Sequence, residues 1–173
     1  MVDIEADGPI PGDYSMIALG AVAVDEELQN TFSGFLRPIS DKYVPEALAV
    51  SGYTREQTLE FNDPKQVMGN FKSWLSTHVK DRPMFISDNN GFDFMFVAWY
   101  FHHFLSENPF GHSSTNLGSL YKGIVRDTKK NFKFLRRTKH THDPMSDALG
   151  NAEAFLRMAK DYNLAGDTAC LLE

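Results

Sequence analysis

The spacing of apolar residues predicts strands in the first part of the chain and mostly helices after them. Residues 15–25, SMIALGAVAVD, form a nearly continuous apolar run, which is typical of a buried strand. Residues 31–37, TFSGFLR, roughly alternate between apolar and polar and are followed by Pro38, which favours another strand. If the opening residues, MVDIEADG, also form a strand, the chain begins with a meander of three strands joined by short loops.

Helical spacing dominates from residue 45 onward, and several of the predicted helices are bounded by proline, glycine or a capping residue. These helices cover residues 45–51, 63–79, 93–105 and 117–127, and a last helix begins at Asp143 and Pro144. The two remaining strands are predicted over residues 83–87 and just before Leu117. This order of elements predicts an α/β domain with a mixed central sheet of about five strands flanked by helices.

Composition and charge narrow the class of protein. A chain of 173 residues with 42% hydrophobic residues is long enough for one domain with its own core, and no linker or repeat divides residues 1–173. The formal charge of −6 argues against bulk electrostatic binding to nucleic acid, although a local basic patch is compatible with it. Cys170 is the single cysteine and forms no intrachain disulfide. Since no secretory leader or membrane-length apolar segment is visible either, we expect a cytoplasmic protein.

Three acidic residues lie two apart at the start of the chain: Asp3, Glu5 and Asp7. In a strand their carboxylates would point to the same face, where like charges repel one another. The ordinary explanation is a solvated strand face, and the pattern alone is weak. A metal-binding face is the alternative, because hard divalent cations such as Mg²⁺ and Mn²⁺ prefer oxygen ligands and would cancel the repulsion.

Two further acids lie at the predicted starts of helices. Asp93 begins the most apolar helix of the chain, where a carboxylate either caps the helix, is paired, or binds a metal. His142 precedes the last predicted helix and Asp147 lies in its first turn, where a loop histidine and a favourable first-turn charge are the ordinary explanations. Neither explanation accounts for the occurrence of both features together with Asp3 and Glu5.

A basic segment lies directly before the last of these acids. Residues 126–142 contain seven of the 17 lysines and arginines of the chain, with Asp127 as the nearby acid. A solvated run of charges is the usual explanation for such a segment. Because this one adjoins the candidate acid Asp147 in an otherwise acidic protein, it is also suited to steer phosphate groups toward that position.

Together these motifs resemble the DEDDh group of 3′–5′ exonucleases, which have a ribonuclease-H-like fold. That family has D-x-E in its first strand, F-D at the start of a later helix and H-x4-D at the start of the last helix. The chain has DIEADG, NNGFDFMF and HDPMSDALGNAEAF in that order. The segments IALGAV and PEALAVSGYT and the residues Gly8 and Asn89 also resemble the family, so the likeness covers nearly the whole chain.

The resemblance implies hydrolysis of phosphodiester bonds with two divalent metal ions, Mg²⁺ or Mn²⁺. Asp3 would bridge both ions, and Glu5 and Asp147 would hold the ion that binds the attacking water. Asp93 would act mainly through a water molecule. Under this interpretation the neighbouring carboxylates at the start of the chain are held together because cations offset their repulsion.

The general base implied by the resemblance is His142, because a neutral imidazole accepts a proton near pH 7. A variant of the family has tyrosine four residues before its last aspartate. In this chain Asp143 stands at that position, four before Asp147, so the histidine type applies. The nearby His140 is the alternative base, although the spacing favours His142.

The resemblance also implies a substrate, the 3′ end of a single-stranded or short nucleic acid. RNA is favoured, because small stand-alone exoribonucleases of this type lack added domains, as this chain does. A DNA-directed exonuclease of the proofreading or repair type is the alternative, and a non-catalytic nucleic-acid-binding domain of the same fold is a third. We expect no membrane partner. Related small enzymes are often homodimers, which would allow a homodimer here.

Candidate contacts with the nucleic acid follow from the same resemblance and from the basic segment. Asp7 is expected at the rim of the pocket, and the basic residues near 136–139 are expected to hold the backbone without reading sequence. Met16, Tyr53 and Phe92 could stack on terminal bases, although plain core packing is the ordinary explanation for each of them. The predicted contact residues are Ala6, Asp7, Met16, Asn89, Phe92, Arg136, Arg137 and Lys139.

Overall fold

The computed structural model describes residues 1–164, and Cys170 lies outside the described residues. Within the described range the chain forms five strands and six α-helices. The strands are β1 (Val2–Ala6), β2 (Met16–Val22), β3 (Thr31–Phe35), β4 (Phe85–Ser87) and β5 (Ser114–Asn116). The predicted mixed α/β fold is therefore confirmed, including the short fifth strand before Leu117.

Most of the helices lie where the sequence predicts them. They are α1 (Pro45–Val50), α2 (Arg55–Leu59), α3 (Pro64–His78), α4 (Asn90–Leu105), α5 (Leu117–Val125) and α6 (Pro144–Asp161). A single turn of 3-10 helix, Lys133–Leu135, lies between α5 and α6. Asp63 and Asp143 are the N-caps of α3 and α6, and each side chain accepts a hydrogen bond from the backbone N–H three residues later.

Two helices differ from the prediction. α4 begins at Asn90 rather than at Asp93, because Asn89 takes the N-cap position. α2 has only five residues, too few for an apolar repeat to mark it. Its start is marked instead by a capping box, in which the Thr54 hydroxyl accepts from the N–H of Gln57 and the Gln57 side chain accepts from the N–H of Thr54.

The strands form two hydrogen-bonded groups that lie side by side. β1, β2 and β3 are antiparallel in that order, while β4 and β5 are parallel and are connected through α4. β1 contacts β4, which joins the two groups. β2 is buried at every position, as expected for a central strand that is covered on both faces.

Two apolar clusters cover the strands. One packs β1 and β2 against α3 and α4, and its largest buried side chains include Met16, Leu19, Phe71, Phe96 and Tyr100. The other packs the far end of β2 against α5 and α6, and it includes Val22, Leu117, Tyr121, Ala148 and Ala152. None of the helices within residues 1–164 combines the length and the hydropathy needed to cross a membrane.

Two glycines allow α6 and the loop before it to approach the sheet closely. Gly20 on β2 faces the main chain of Pro144, and a Cβ atom at residue 20 would overlap that main chain. Gly150 on α6 faces the carbonyl oxygen of Thr138, in the loop that leads into this helix. As a result the first turn of α6 packs directly against β2, and the loop before this helix lies along its first turns.

Candidate active site

Two carboxylates of the site project from β1. This strand buries Val2, Ile4 and Ala6 on one face, and the alternation of side chains directs Asp3 and Glu5 to the other. The strand therefore presents two neighbouring carboxylates on the face that is turned away from the α3 and α4 cluster.

The third carboxylate comes from the other end of the chain. Asp3 pairs across the sheet with Gly20 of β2, and the first residue of α6, Pro144, packs against Gly20. Asp147 lies in the first turn of α6 and is buried. One oxygen of each of Asp3, Glu5 and Asp147 lies within 4.8 Å of the other two. The close packing of α6 on β2 thus brings together acids from opposite ends of the sequence.

Asp93 is the fourth residue of α4 and does not cap it, since Asn89 is the N-cap. The capping explanation is therefore wrong. The Asp93 side chain is buried, and its Oδ2 atom has no hydrogen-bond partner among the described residues. Burial raises the pKa of Asp93 to about 7, and its charge raises the pKa of both Asp3 and Glu5. Asp93 therefore acts on the same site as the other carboxylates.

The site carries an excess of negative charge. Burial raises the pKa of Asp3 well above its usual range, and three neighbouring carboxylates raise it further, those of Asp93, Asp147 and Glu5. Burial and the charges of Asp147 and Asp93 likewise raise the pKa of Glu5 to about 7. Buried carboxylates that face one another suit hard divalent cations, which take oxygen ligands and would offset the repulsion. The donor atoms therefore fit Mg²⁺ or Mn²⁺.

Both oxygens of Asp147 accept hydrogen bonds from the loop before α6. The backbone N–H of Thr141 donates to Oδ1 at 2.9 Å, and the backbone N–H of His142 donates to Oδ2 at 3.0 Å. His142 has a left-handed backbone, with a φ of 60°, at the turn that leads into the helix. Asp147 thus fixes the loop that carries both candidate histidines.

The two histidines of this loop have different partners. His140 Nδ1 lies 2.7 Å from Asp147 Oδ2, within hydrogen-bonding distance. His142 Nδ1 lies 3.7 Å from Glu5 Oε1, too far for a hydrogen bond in this conformation. Both imidazoles are about half exposed, at 45% and 50%, and their ring centroids are 4.4 Å apart. The nitrogen atoms of both rings are therefore close to the carboxylates.

Asp7 is the residue that follows β1. The strand ends at Ala6, so Asp7 lies beyond the alternation that orients the first two carboxylates. Asp7 is 0% exposed, and its side chain accepts hydrogen bonds from the N–H of Ser15 and the guanidinium of Arg55. The Asp7 side chain is therefore buried in an ion pair, and its contact with nucleic acid stays a prediction.

Three other predicted contact residues are also buried. Met16 and Ala6 belong to the apolar cluster beneath the sheet, where Met16 is 0% exposed. Arg136 is 7% exposed, and its guanidinium donates to the side chains of Asp88 and Asn151. Met16 thus packs in the core, and Arg136 already has two side-chain partners. Contact between these three residues and a nucleic acid stays a prediction.

The remaining predicted contact residues are accessible. Asn89, Arg137 and Lys139 are exposed. Phe92 and Tyr53 are half-buried and pack against neighbouring aromatic rings, which leaves part of each ring at the surface. Contact between these five residues and a nucleic acid stays a prediction.

Three residues in or near the site are not found from the sequence. Arg55 neutralises Asp7 from a position 48 residues away, and no local pattern marks that pairing. Thr141 acts through its backbone N–H, which residue type does not reveal. A third contributor, Gly20, lies within the segment IALGAV, where its importance is only apparent once Pro144 packs against it.

Known proteins share both the sequence and the fold. The chain is 36% identical over 164 residues to the 3′–5′ DNA exonuclease Cap18 of Escherichia coli, and this match covers 89% of the chain and 87% of that protein. No protein-family model matches the chain. This relative places the chain in the class of 3′–5′ exonucleases. The chain belongs to the DEDDh family of 3′–5′ exonucleases, which confirms the resemblance recognised in the sequence.

Solved structures of low sequence identity have the same fold. The nuclease domain of 3′hExo, a DEDDh family member bound to rAMP, superposes with a TM-score of 0.72 at 16% identity and covers 92% of this chain and 90% of that chain. The Mg²⁺- and Mn²⁺-bound form of S. pombe Pop2p has a TM-score of 0.67 at 15% identity, and the match covers 98% of this chain and 86% of that chain. The zinc-bound E. coli ExoI–ssDNA complex has a TM-score of 0.71 at 16% identity, and the match covers 92% of this chain and 39% of that chain.

Proposed function

We propose that the protein removes nucleotides from the 3′ end of single-stranded DNA by metal-dependent hydrolysis. The observation that carries the proposal is the convergence of Asp3, Glu5 and Asp147, whose carboxylate oxygens lie within 4.8 Å of one another. Burial and like charge both oppose ionisation of Asp3 and Glu5, so the arrangement is unfavourable until cations bind. Such a site is suited to hold the metal ions of a phosphodiester hydrolase.

The choice of DNA as substrate rests on the relative from E. coli, Cap18, which is a DNA exonuclease by name. The structural neighbours include proteins bound to rAMP and to single-stranded DNA, and they favour neither sugar. RNA, which the sequence analysis favours, is the second candidate and stays a prediction. The cytoplasmic location and the homodimer expected from the sequence also stay predictions.

Asp3, Glu5 and Asp147 hold two divalent cations, Mg²⁺ or Mn²⁺, in this proposal. When bound, these ions supply positive charge at the scissile phosphate and make the attacking water more acidic. Asp93 contributes its Oδ2 atom, which has no partner among residues 1–164 and is in place to accept a hydrogen bond from a water molecule. In this proposal three of the acids bind the metal ions, and Asp93 orients a water molecule.

His142 acts as the general base and takes a proton from the attacking water at a ring nitrogen. The water oxygen bonds to phosphorus, the bond from phosphorus to the 3′ oxygen breaks, and the terminal nucleotide leaves as a monophosphate. Solvent returns a proton to the 3′ oxygen. His142 is favoured over His140 because His140 Nδ1 is already within hydrogen-bonding distance of Asp147, whereas His142 has no hydrogen bond from its ring to Glu5.

Exposed residues around the site hold the strand without reading its sequence. Arg137 and Lys139 lie on the loop that leads to the catalytic histidine, and neither forms an ion pair within residues 1–164. Their charges are suited to phosphate groups, which carry no sequence information. Phe92 offers part of its ring for stacking, an interaction that tolerates every base. We therefore expect only a modest preference among bases.

The proposal is tested with 5′-labelled single-stranded DNA and RNA of the same sequence. Each oligonucleotide is incubated with the protein and Mg²⁺, Mn²⁺ or EDTA, and the products are separated on a denaturing gel. We expect a descending ladder with metal, none with EDTA, and faster shortening of DNA. If RNA is shortened faster, RNA is the preferred substrate instead of DNA. If both oligonucleotides stay intact at high protein concentration, the non-catalytic alternative is favoured.

The role of His142 is tested separately by the substitution His142→Ala. Loss of a general base slows cleavage by about 10²–10⁴-fold, while the binding of Mn²⁺ measured by calorimetry is retained, since the carboxylates remain. The measurement is the single-turnover rate, with His140→Ala as the parallel variant. If only His140→Ala slows cleavage to this extent, the base is His140 instead.

A further inference from the structure

Asp147 faces two different sets of ligand atoms. On one side it meets the carboxylates of Asp3 and Glu5, as described above. On the other side, one ring nitrogen each of His140 and His142 and one oxygen of Asp147 lie within 4.8 Å of one another. The second set contains two nitrogen donors and one oxygen donor, so it differs in chemistry from the first.

The two sets favour different cations. Mg²⁺ and Mn²⁺ are suited to the carboxylates, whereas imidazole nitrogen is a preferred ligand of Zn²⁺. Zinc binds nitrogen and oxygen at about 2.0–2.1 Å in a tetrahedral geometry, which places neighbouring ligand atoms roughly 3.3 Å apart. His140 Nδ1 and Asp147 Oδ2 are 2.7 Å apart, so a small outward movement of the imidazole would admit the ion.

The exposure of the two imidazoles leaves room for that movement. Both imidazoles are about half exposed, at 45% for His140 and 50% for His142. The carboxylate of Asp147 is held in place by the N–H groups of Thr141 and His142, so its position is set before any ion binds. Glu5 Oε1, 3.7 Å from His142 Nδ1, is close enough to serve as a fourth ligand after a small shift.

We propose that His140, His142 and Asp147 form a zinc site that overlaps the carboxylate site, and that zinc bound there inhibits the enzyme. The inhibition rests on the proposed function, because zinc would occupy both the proposed general base and a proposed ligand of the catalytic ions. Zinc takes the place of the proton that His140 Nδ1 shares with Asp147. In a neutral imidazole this proton moves to Nε2 by exchange with solvent, so no net proton is released.

The binding of zinc is tested by calorimetry, independently of nuclease activity. Zn²⁺ and, separately, Mn²⁺ are titrated into the wild type, into His140→Gln and into His112→Gln, an exposed histidine outside the cluster. We expect His140→Gln to raise the dissociation constant of zinc by at least about tenfold, with the constant for Mn²⁺ changed by less than about twofold. His112→Gln should match the wild type for both ions.

Either of two results overturns the proposal. One is equal affinity of wild type and His140→Gln for zinc, which would place the ion among the carboxylates alone. The other is the absence of zinc binding by the wild type. Co²⁺ provides a second readout that does not depend on the variant, because a four-coordinate site with nitrogen ligands absorbs visible light much more strongly than a six-coordinate oxygen site. A weak, six-coordinate spectrum also contradicts the proposal.

Inhibition is then measured on labelled DNA with Mg²⁺ held constant and zinc increased. The wild type should lose activity over the range of zinc concentrations at which calorimetry shows binding. If zinc binds and cleavage continues, the proposal of inhibition is wrong, but the proposal of a zinc site is still supported. If no cleavage occurs with Mg²⁺ or Mn²⁺ alone, the proposed function fails, and the calorimetric result still decides the site.

Discussion

Asp3 and Asp7 are four residues apart and both are shielded from solvent, but their surroundings are opposite. Asp7 accepts hydrogen bonds from the Ser15 N–H and, at 2.9 Å, from the Arg55 guanidinium. Burial still raises the pKa of Asp7, although both of these partners oppose the rise. For Asp3, burial and the neighbouring carboxylates raise the pKa together, and only the charge of Arg136 opposes them.

The presence or absence of a protein counter-charge distinguishes a structural carboxylate, Asp7, from one that is suited to bind a ligand, Asp3. The counter-charge of Asp7 belongs to the protein itself, and this pair connects the end of β1 to α2 without any ion from solution. Arg136 cannot serve Asp3 in the same way, because its guanidinium is committed to Asp88 and Asn151. Under the proposed function, the carboxylates around Asp3 would take their counter-charge from cations in solution.

The largest contrast is expected between Asp3→Asn and Asp7→Asn. Asp3→Asn should abolish cleavage, because a ligand of the metal ions is lost, and should leave the melting temperature in EDTA unchanged or higher, because repulsion is relieved. Asp7→Asn should lower the free energy of unfolding by about 3 kcal/mol, since Arg55 loses its buried partner. Nuclease assays and thermal melts in EDTA measure both. If Asp3→Asn unfolds the metal-free protein, Asp3 is structural.

The next largest effect is expected on removing the cation of the structural pair. Arg55→Met leaves Asp7 buried without its partner and should lower the free energy of unfolding by about 3 kcal/mol, measured by urea denaturation. Arg37→Met is the matched control. Arg37 is 3.7 Å from Asp63 in an exposed pair, with side-chain exposures of 51% and 54%. That substitution should change stability by less than about 1 kcal/mol. Equal effects of the two would mean that the Asp7 pair contributes no more than a surface pair.

The smallest effect is the pH dependence of stability in the metal-free protein. Glu5 and Asp93 have folded pKa values of about 7, above their usual values of 4.5 and 3.8, so the folded state binds more protons than the unfolded state between these limits. Their contribution is fully present below about pH 4 and is lost as pH rises through 7. We expect a loss of about 1–2 kcal/mol across this window, after allowance for solvent screening.

This pH dependence is measured by urea denaturation in EDTA between pH 5 and 8, with Asp3→Asn alongside. The variant should show a shallower slope, because one of the charges that raises the pKa of its neighbours is gone. Mn²⁺ should reduce the slope in the wild type by favouring the ionised carboxylates. A wild-type stability that is flat over this range contradicts the description of the site as a set of mutually repelling acids.

Local features of the sequence were sufficient for much of the fold. The caps at Asp63 and Asp143, the apolar run of β2 and the short strand before Leu117 are all determined by neighbours within a few residues. The same is true of the D-x-E pair, whose side chains share a face because a strand alternates. The expected residue types of the site could therefore be named without a structure.

The role of each charged residue depended on partners that are distant in the sequence. The spacing of Asp7 continues that of Asp3 and Glu5, but β1 ends at Ala6 and the buried Asp7 side chain pairs with Arg55. Arg136 lies in a basic run that suggests contact with phosphate, yet its guanidinium is bound to Asp88. Pattern alone does not distinguish a free charge from a paired one.

The sequence by itself determined which acids and histidines this protein has and on which elements they stand, because helix caps and strand alternation are short-range effects. Only the tertiary structure decided which of those charges meet. The absence of a side chain at Gly20 lets α6 settle on β2, and this packing sets Asp147 beside Asp3 and Glu5. Electrostatic energy depends on distance in space, so the same residue type is structural at Asp7 and suited to catalysis at Asp3.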